Sequence, residues 1–222
     1  MKVLFWRLEY YGAVTTGGFA SHYDGLINAF LKLGWEVIYV SSGRAKLPKG
    51  VKYYFIPHSK LLRNFPEVLN LPYNYKSAKE LENIVKVEKP DFIFQQHHDF
   101  IFGNYYLRKN IDIPIILFAD GFQYWVKKNW GNLYLDKALK WGEQIAWEHC
   151  DWISVPSDLI KKQLADNGVE DGKIFVSPSA VDPDFFKPID NADDIKKKYN
   201  LEGKFVCGFS GTFAQWHGVE II

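Results

Sequence analysis

The first forty residues admit few folds. The stretch Lys2 to Val40 opens on an apolar run, Val3-Leu4-Phe5-Trp6, and passes through a loop ending Thr15-Thr16-Gly17-Gly18. Beyond the glycines, Phe19, Tyr23, Leu26, Ile27, Phe30 and Leu31 recur at helical spacing, and Gly34 stands where a left-handed helix stop belongs. Trp35 to Val40 then reads as a second buried strand. The unit is strand, glycine turn, helix, strand. Two readings of Gly17-Gly18 stay open. Residues without side chains let an anion approach the first amides of a helix, whose unpaired N–H groups and positive dipole end suit phosphate. They equally suit a close packing contact between helix and strand.

The rest of the chain repeats the alternation. A third strand is expected over Val51 to Pro57, then an irregular stretch from His58 to Asn74 with room for a short helix. Tyr75, Ala78, Leu81, Ile84 and Val85 give a helix that Lys89-Pro90 ends, launching a fourth strand, Asp91 to Gln96. A short helix over Phe100 to Lys109 leads to a fifth strand, Ile113 to Phe118. Asp120 to Gly131 reads as an aromatic and basic loop, and Leu135 to His149 as the longest helix. A sixth strand, Trp152 to Val155, precedes a helix capped by Ser157 or Asp158, and Lys173 to Val176 makes a seventh. Such alternation predicts a Rossmann-like α/β fold, a parallel sheet with helices on both faces, in which ligands sit beyond the carboxyl ends of the strands. The loops there carry Gly17-Gly18, His97-His98-Asp99 and Asp120-Gly121.

Near residue 186 the pattern changes. Asp182-Pro183-Asp184-Phe185-Phe186-Lys187-Pro188 is turn-rich, Asn191 to Lys198 is a charged linker helix, and Lys204 to Ser210 reads as a fresh buried strand running into Gly211-Thr212 and His217-Gly218. One strand and one turn cannot build a core. The division expected is a first domain over 1–185, a linker over 186–203, and the first strand and loop of a truncated second domain over 204–222.

Charge and composition narrow the partners. A net charge of +1 argues against nucleic acid, whose binders carry a marked basic excess. The 8 Trp, 13 Tyr and 17 Phe supply core and also platforms that stack on sugars. Cys150 and Cys207 lack metal-ligand spacing and read as reduced core thiols of a cytoplasmic protein. No segment approaches the roughly eighteen apolar residues of a membrane span, and the chain starts on a strand rather than a secretory signal. Membrane contact is therefore expected to be at most peripheral, at the inner face. Asp182-Pro183-Asp184 has the form of an Asp-x-Asp metal site but falls in the interdomain segment and is rejected as a ligand pair, so no metal is expected. His149 on its apolar stripe reads as structural, and His22 and His58 as solvent-facing.

Five short runs, in order and at consistent spacing, carry a family resemblance. They are Gly17-Gly18 after strand one; Leu33-Gly34-Trp35-Glu36-Val37; Gln96-His97-His98-Asp99 after strand four; Cys150 to Ser157; and Ser179-Ala180-Val181-Asp182 with Phe186-Lys187-Pro188. Together they resemble the first half of a GT-B glycosyltransferase of family 4, the retaining, nucleotide-sugar-dependent group. The resemblance implies two Rossmann-like domains facing each other, an acceptor-side first domain, and a second domain binding the nucleotide-sugar donor. It implies His98, Asp99 and Asp120 as catalytic candidates, and Gly17, Gly18, His97, Trp125, Thr212 and His217 as substrate or donor contacts. The partners implied are a nucleotide-sugar donor and a sugar, glycan or lipid-linked acceptor, with no cofactor.

The pattern is not complete. Asp120 replaces the histidine that commonly follows strand five, and Gly211-Thr212 and His217-Gly218 replace the phosphate-neutralising Gly-Arg and Lys-Gly. Simpler roles compete with each assignment: His97 or His98 can satisfy a backbone carbonyl, Asp120 can cap the next turn, and Trp125-Lys127-Lys128-Trp130 can be an acceptor-binding or membrane-edge loop or ordinary surface. Two other functional classes remain, a non-catalytic carbohydrate-binding or regulatory half-protein and another sugar-nucleotide enzyme such as an epimerase.

Overall fold

Seven strands, all parallel, form one sheet in the computed structural model, which describes residues 1–8, 18–43, 45–58, 66–131, 135–188, 192–211, 213 and 217–221. The strands are β1 (Lys2–Arg7), β2 (Glu36–Ser41), β3 (Lys52–Phe55), β4 (Phe92–Gln96), β5 (Ile115–Phe118), β6 (Trp152–Val155) and β7 (Ile174–Val176). Their order across the sheet is β3-β2-β1-β4-β5-β6-β7. The chain therefore winds outward from β1 to one edge, returns to the other side of β1, and winds outward again. The reversal lies between β1 and β4, whose Val3 to Trp6 pair with Phe92 to Gln95. In such sheets a crevice opens at that switch point, beyond the carboxyl ends of the two strands.

Period-two alternation decides which helix covers which face. Val3 and Phe5, Val37 and Tyr39, Phe94 and Phe118 pack with Tyr23 and Ile27 of α1 (Gly18–Lys32). Their neighbours Leu4 and Trp6, Ile38 and Val40, Ile93, Leu117 and Ile153 point to the other face. That face is covered by α2 (Pro66–Glu88), α3 (Gly103–Leu107) and α5 (Asp136–Glu148), through residues such as Leu81, Leu107 and Ala146. Burying each large apolar side chain contributes about 1.5–3 kcal/mol, so a sheet dry on both faces is a rigid floor for the polar loops at its rim.

Local signals set several boundaries. Helix α1 ends as expected at Gly34, with φ at 76°; the Gly34 and Trp35 amides donate to the carbonyls of Leu31 and Phe30, each at 3.0 Å. This double closure needs a residue in the left-handed region, where glycine carries no Cβ penalty. Helix α6 (Asp158–Asp166) is capped by Ser157, whose hydroxyl accepts from the Ile160 amide. Helix α7 (Asp193–Lys198) is exposed and charged.

Elsewhere tertiary contacts override the local signal. Of the stretch expected to be irregular, Pro66 to Asn74 belongs to α2, which runs through Pro72 and, at 23 residues, is longer than the 13-residue α5 expected to be longest. Asn74 explains its own place there: fully buried, it donates through Nδ2 to the Phe100 carbonyl and accepts at Oδ1 from the Phe102 amide, both at 2.7 Å. Asp120 to Gly131 is not simply a loop, because Gln123–Trp130 forms helix α4. Lys204 to Ser210 forms no strand and is exposed, Phe205 at 95%. An apolar run needs a neighbouring strand for its backbone groups, and this one pairs with no edge of the sheet. For the same reason Cys207 is an exposed thiol rather than a core one, whereas Cys150 is buried and its thiol is pushed up to about 12 by burial.

His22 also differs from its expected solvent-facing position. It is buried, stacked on Phe118 at 4.9 Å between ring centroids, and its Nδ1 accepts from the Ala180 amide at 3.3 Å. Burial lowers its pKa. His58 is half-buried, its ring 4.1 Å from that of Tyr73. Asp182 and Asp184 turn to α1, where Lys32 reaches Asp184 at 2.5 Å and Asp182 at 3.7 Å.

Candidate active site

The strand end at the switch point brings together two of the expected residues, His98 and Asp99. Past β4 the chain continues for one more ladder bond, from the His97 amide to the Phe118 carbonyl at 2.8 Å, and then turns. The Ile101 amide closes the turn on the His98 carbonyl at 3.1 Å, and Phe100 takes a φ of 57°. A non-glycine residue there is held by its surroundings: Phe100, Ile101 and Phe102 are buried, and Asn74 grips the backbone on both sides. His98 and Asp99 are thus presented on a rigid corner, not a loose loop.

Their side chains form a charged cluster with Lys127, which the sequence placed only in a run open to an acceptor-binding, membrane-edge or plain surface reading. His98 Nδ1 lies 3.0 Å from Asp99 Oδ1, and Lys127 Nζ, from α4, lies 2.8 Å from Asp99 Oδ2. Asp99 is only 8% exposed in its side chain, whereas His98 keeps 29% and Lys127 25%. Burial pushes the Asp99 carboxyl up; the hydrogen bond and charge of His98, then those of Lys127, outweigh it and hold the group well below the usual carboxylate range. A carboxyl depressed in the folded state contributes stability above its unfolded pKa of about 4, and that contribution is lost as pH falls below it. Asp99→Asn should therefore cost about 2 kcal/mol at pH 7. The gap between variant and wild type should narrow at pH 3, read from urea midpoints at the two pH values.

The other expected residues fall in different places. Asp120 is exposed at the end of β5 and accepts from Gln123 Nε2 at 3.4 Å. Gly18 is the first residue of α1, and among the described residues no atom lies within 4 Å of where its Cβ would be. Gly17 and Thr212 lie outside the described residues. Trp125 is half-buried on α4, its ring perpendicular to that of Trp130 at 4.6 Å. His217 sits in the exposed C-terminal segment, its ring 5.6 Å from that of Phe209.

His97, expected to touch ligand, faces the interior instead. Its side chain is fully buried, with Nε2 3.1 Å from Glu143 Oε1 of α5. The two histidines of the pair take opposite sides because neighbouring residues in extended chain point to opposite faces. Arg7 at the end of β1 was also passed over. It is buried, with its guanidinium 5.1 Å from the centre of the Tyr23 ring, and the Tyr23 hydroxyl donates to Gln96 of β4. No cluster of three or more potential metal ligands occurs among the described residues. No described helix is long and apolar enough to cross a membrane.

Comparisons with known proteins fit this geometry. The model of glycosyltransferase family 4 matches residues 16–185. The fold is similar to that of HepE from Anabaena in complex with UDP, with a TM-score of 0.67 and 12% identity over 100% of this chain and 56% of that one. It is also similar to a glycosyltransferase from Rickettsia africae (TM-score 0.55, 15% identity, 91% of this chain and 50% of that one). A UDP-GlcNAc 2-epimerase from Methanocaldococcus jannaschii is related in the same way (TM-score 0.52, 17% identity, 79% and 45%). The chain spans about half the length of these structures. No curated protein sequence matches it at a significant level.

Proposed function

The chain belongs to glycosyltransferase family 4, and from that premise we propose that it is the acceptor-side part of a retaining enzyme. The parent enzyme transfers a sugar from a nucleoside-diphosphate sugar to a sugar, glycan or lipid-linked acceptor. Residues 1–185 form the first domain, 186–203 the linker and 204–222 the opening of a second domain that carries most of the donor site. The chain alone turns over little or nothing, since one wall of the cleft lies elsewhere.

The single observation that carries this reading is the His98–Asp99–Lys127 cluster on its rigid corner at the switch point. Sugar transfer develops oxocarbenium-like charge at the sugar carbon and negative charge on the leaving diphosphate, which fixed donors stabilise better than a strong base does. Asp99 accepts from His98 Nδ1–H, fixing the ring so that Nε2 is the nitrogen the bound sugar meets. Lys127 keeps Asp99 ionised. Gly17 and Gly18 leave room for diphosphate or acceptor at the start of α1. Asp120 accepts from a sugar hydroxyl, Trp125 lends an aromatic face to the acceptor, and Thr212 and His217 serve the donor. No metal or cofactor takes part, and the enzyme works in the cytoplasm, at most peripherally at the inner membrane face.

Relatives that bind UDP and UDP-glucose make uridine diphosphate sugars the first donors to try. The test incubates full-length protein with UDP-glucose and UDP-GlcNAc, with and without EDTA. Release of UDP with sugar appearing in water or on an acceptor, unaffected by EDTA, is the expected result. Interconversion of one UDP-sugar into another without an acceptor would favour an epimerase and overturn the reading.

A further inference from the structure

Glu143 has no role in the function proposed above, yet it is the most fully engaged carboxylate near the site. It lies in the interior of α5 with 1% of its side chain exposed. Oε1 accepts from the Gln123 amide and Oε2 from the Tyr124 amide, both at 2.8 Å, and Oε1 also meets His97 Nε2 at 3.1 Å. Since the carboxylate offers only acceptors, His97 carries its proton on Nε2. Burying a carboxylate is costly unless its lone pairs are served, and here three donors serve them.

Two of those donors open α4. The helix has no fully buried residue, and its N-cap, Phe122, supplies no side-chain hydrogen bond. The first amides of a helix have no partner within it, and a negative charge beside them is favourable. Glu143 takes the place of the missing cap from a different helix. Lys127 follows one turn later on α4 and reaches Asp99. The third donor, His97, immediately precedes His98 in the chain. One buried carboxylate thus grips both arms of the charged cluster: the helix carrying Lys127 and the strand end carrying His98.

We propose that Glu143 is a positioning residue that seats α4 so that Lys127 rests on Asp99, and so sets the charge His98 experiences. The inference rests on the reading of the His98–Asp99–Lys127 cluster as the site. Glu143→Gln keeps the volume but turns one acceptor into a donor facing an amide donor, so the seat of α4 is lost while the sheet is untouched.

The test follows the titration of His98 by NMR in the 222-residue chain with labelled histidine, the signal being assigned by its loss in His98→Gln. Removing the Lys127 charge in Lys127→Met should raise the His98 midpoint by about half a unit to one unit. Glu143→Gln should raise it comparably, and the double variant should add nothing further, because the two changes act on one contact. A Glu143→Gln protein that melts earlier but titrates His98 as wild type does, while Lys127→Met shifts it, overturns the inference. If Lys127→Met leaves His98 unmoved, the cluster reading itself fails. Should Glu143→Gln not fold, Gln123→Pro removes one of the two amides at the first helical position, where proline is tolerated. It should move His98 in the same direction, and no movement would overturn the proposal.

Discussion

Replacing His98 with alanine in the full-length protein should lower the proposed sugar transfer by about two to three orders of magnitude, the range seen when one oriented donor to a developing charge is removed. The effect should fall on kcat, with donor KM changed little, because the contact proposed for His98 strengthens as charge develops and not on binding alone. Stability should fall by about 1 kcal/mol, because buried Asp99 loses the hydrogen bond and charge of His98. The fold itself should stand, since the ring is partly exposed and the corner beneath it is held by Asn74 and by the buried Phe100, Ile101 and Phe102. Steady-state kinetics with UDP release as the readout, together with a thermal melt, checks both halves. Transfer and donor hydrolysis at the wild-type rate would remove His98 from the mechanism while leaving the family and fold standing.

How much of this was legible in the sequence depends on where each residue's partner lies. The strands and most helices were readable, because their signals are local: Val3 to Trp6 form an apolar run, Gly34 stops α1 and Ser157 caps α6. The convergence of His98 and Asp120 on one rim follows from parallel topology, which local alternation already implies. Other features did not follow. Helix α4 was read as a loop because its cap, Glu143, comes twenty residues after its first amide, and no local pattern announces a cap supplied by another helix. Helix α2 was cut short at Pro72 and Asn74, whose turn-forming tendencies are outweighed by bonds to a backbone 26 and 28 residues away. His97 and His98 looked like one motif, yet one is part of the interior and the other part of the rim. Lys127 fell in a run of basic and aromatic residues with nothing to separate it from Lys128 until α4 was placed beside Asp99.

Gly103→Ala should be the most damaging glycine-to-alanine change among the described residues, and Gly18→Ala among the least, although both glycines begin a helix. A Cβ at residue 103 would lie 2.7 Å from Trp6 Cη2 and 2.9 Å from Cζ2, closer than carbon atoms can approach without something shifting. The obstacle cannot move aside, for Trp6 is fully buried in β1, an interior strand of the sheet, and Leu8 Cδ1 stands 3.4 Å away. Nor can the backbone of α3 retreat easily, since the chain just before it is held by Asn74 at Phe102. Overpacking of this kind costs about 1–3 kcal/mol, or about 2–12 °C in melting temperature for a chain of this size. Part of the strain should pass back along the corner to His98, so activity should fall with stability. At Gly18 the added methyl meets no described atom within 4 Å, and the melting temperature should stay within about 1 °C of wild type. If that glycine instead keeps space for a diphosphate or an acceptor, Gly18→Ala should weaken donor or acceptor binding several-fold without touching stability. The pair of variants separates glycine kept for packing from glycine kept for a ligand. Equal losses of stability in both would place Gly18 with Gly103 and leave the start of α1 without a binding role.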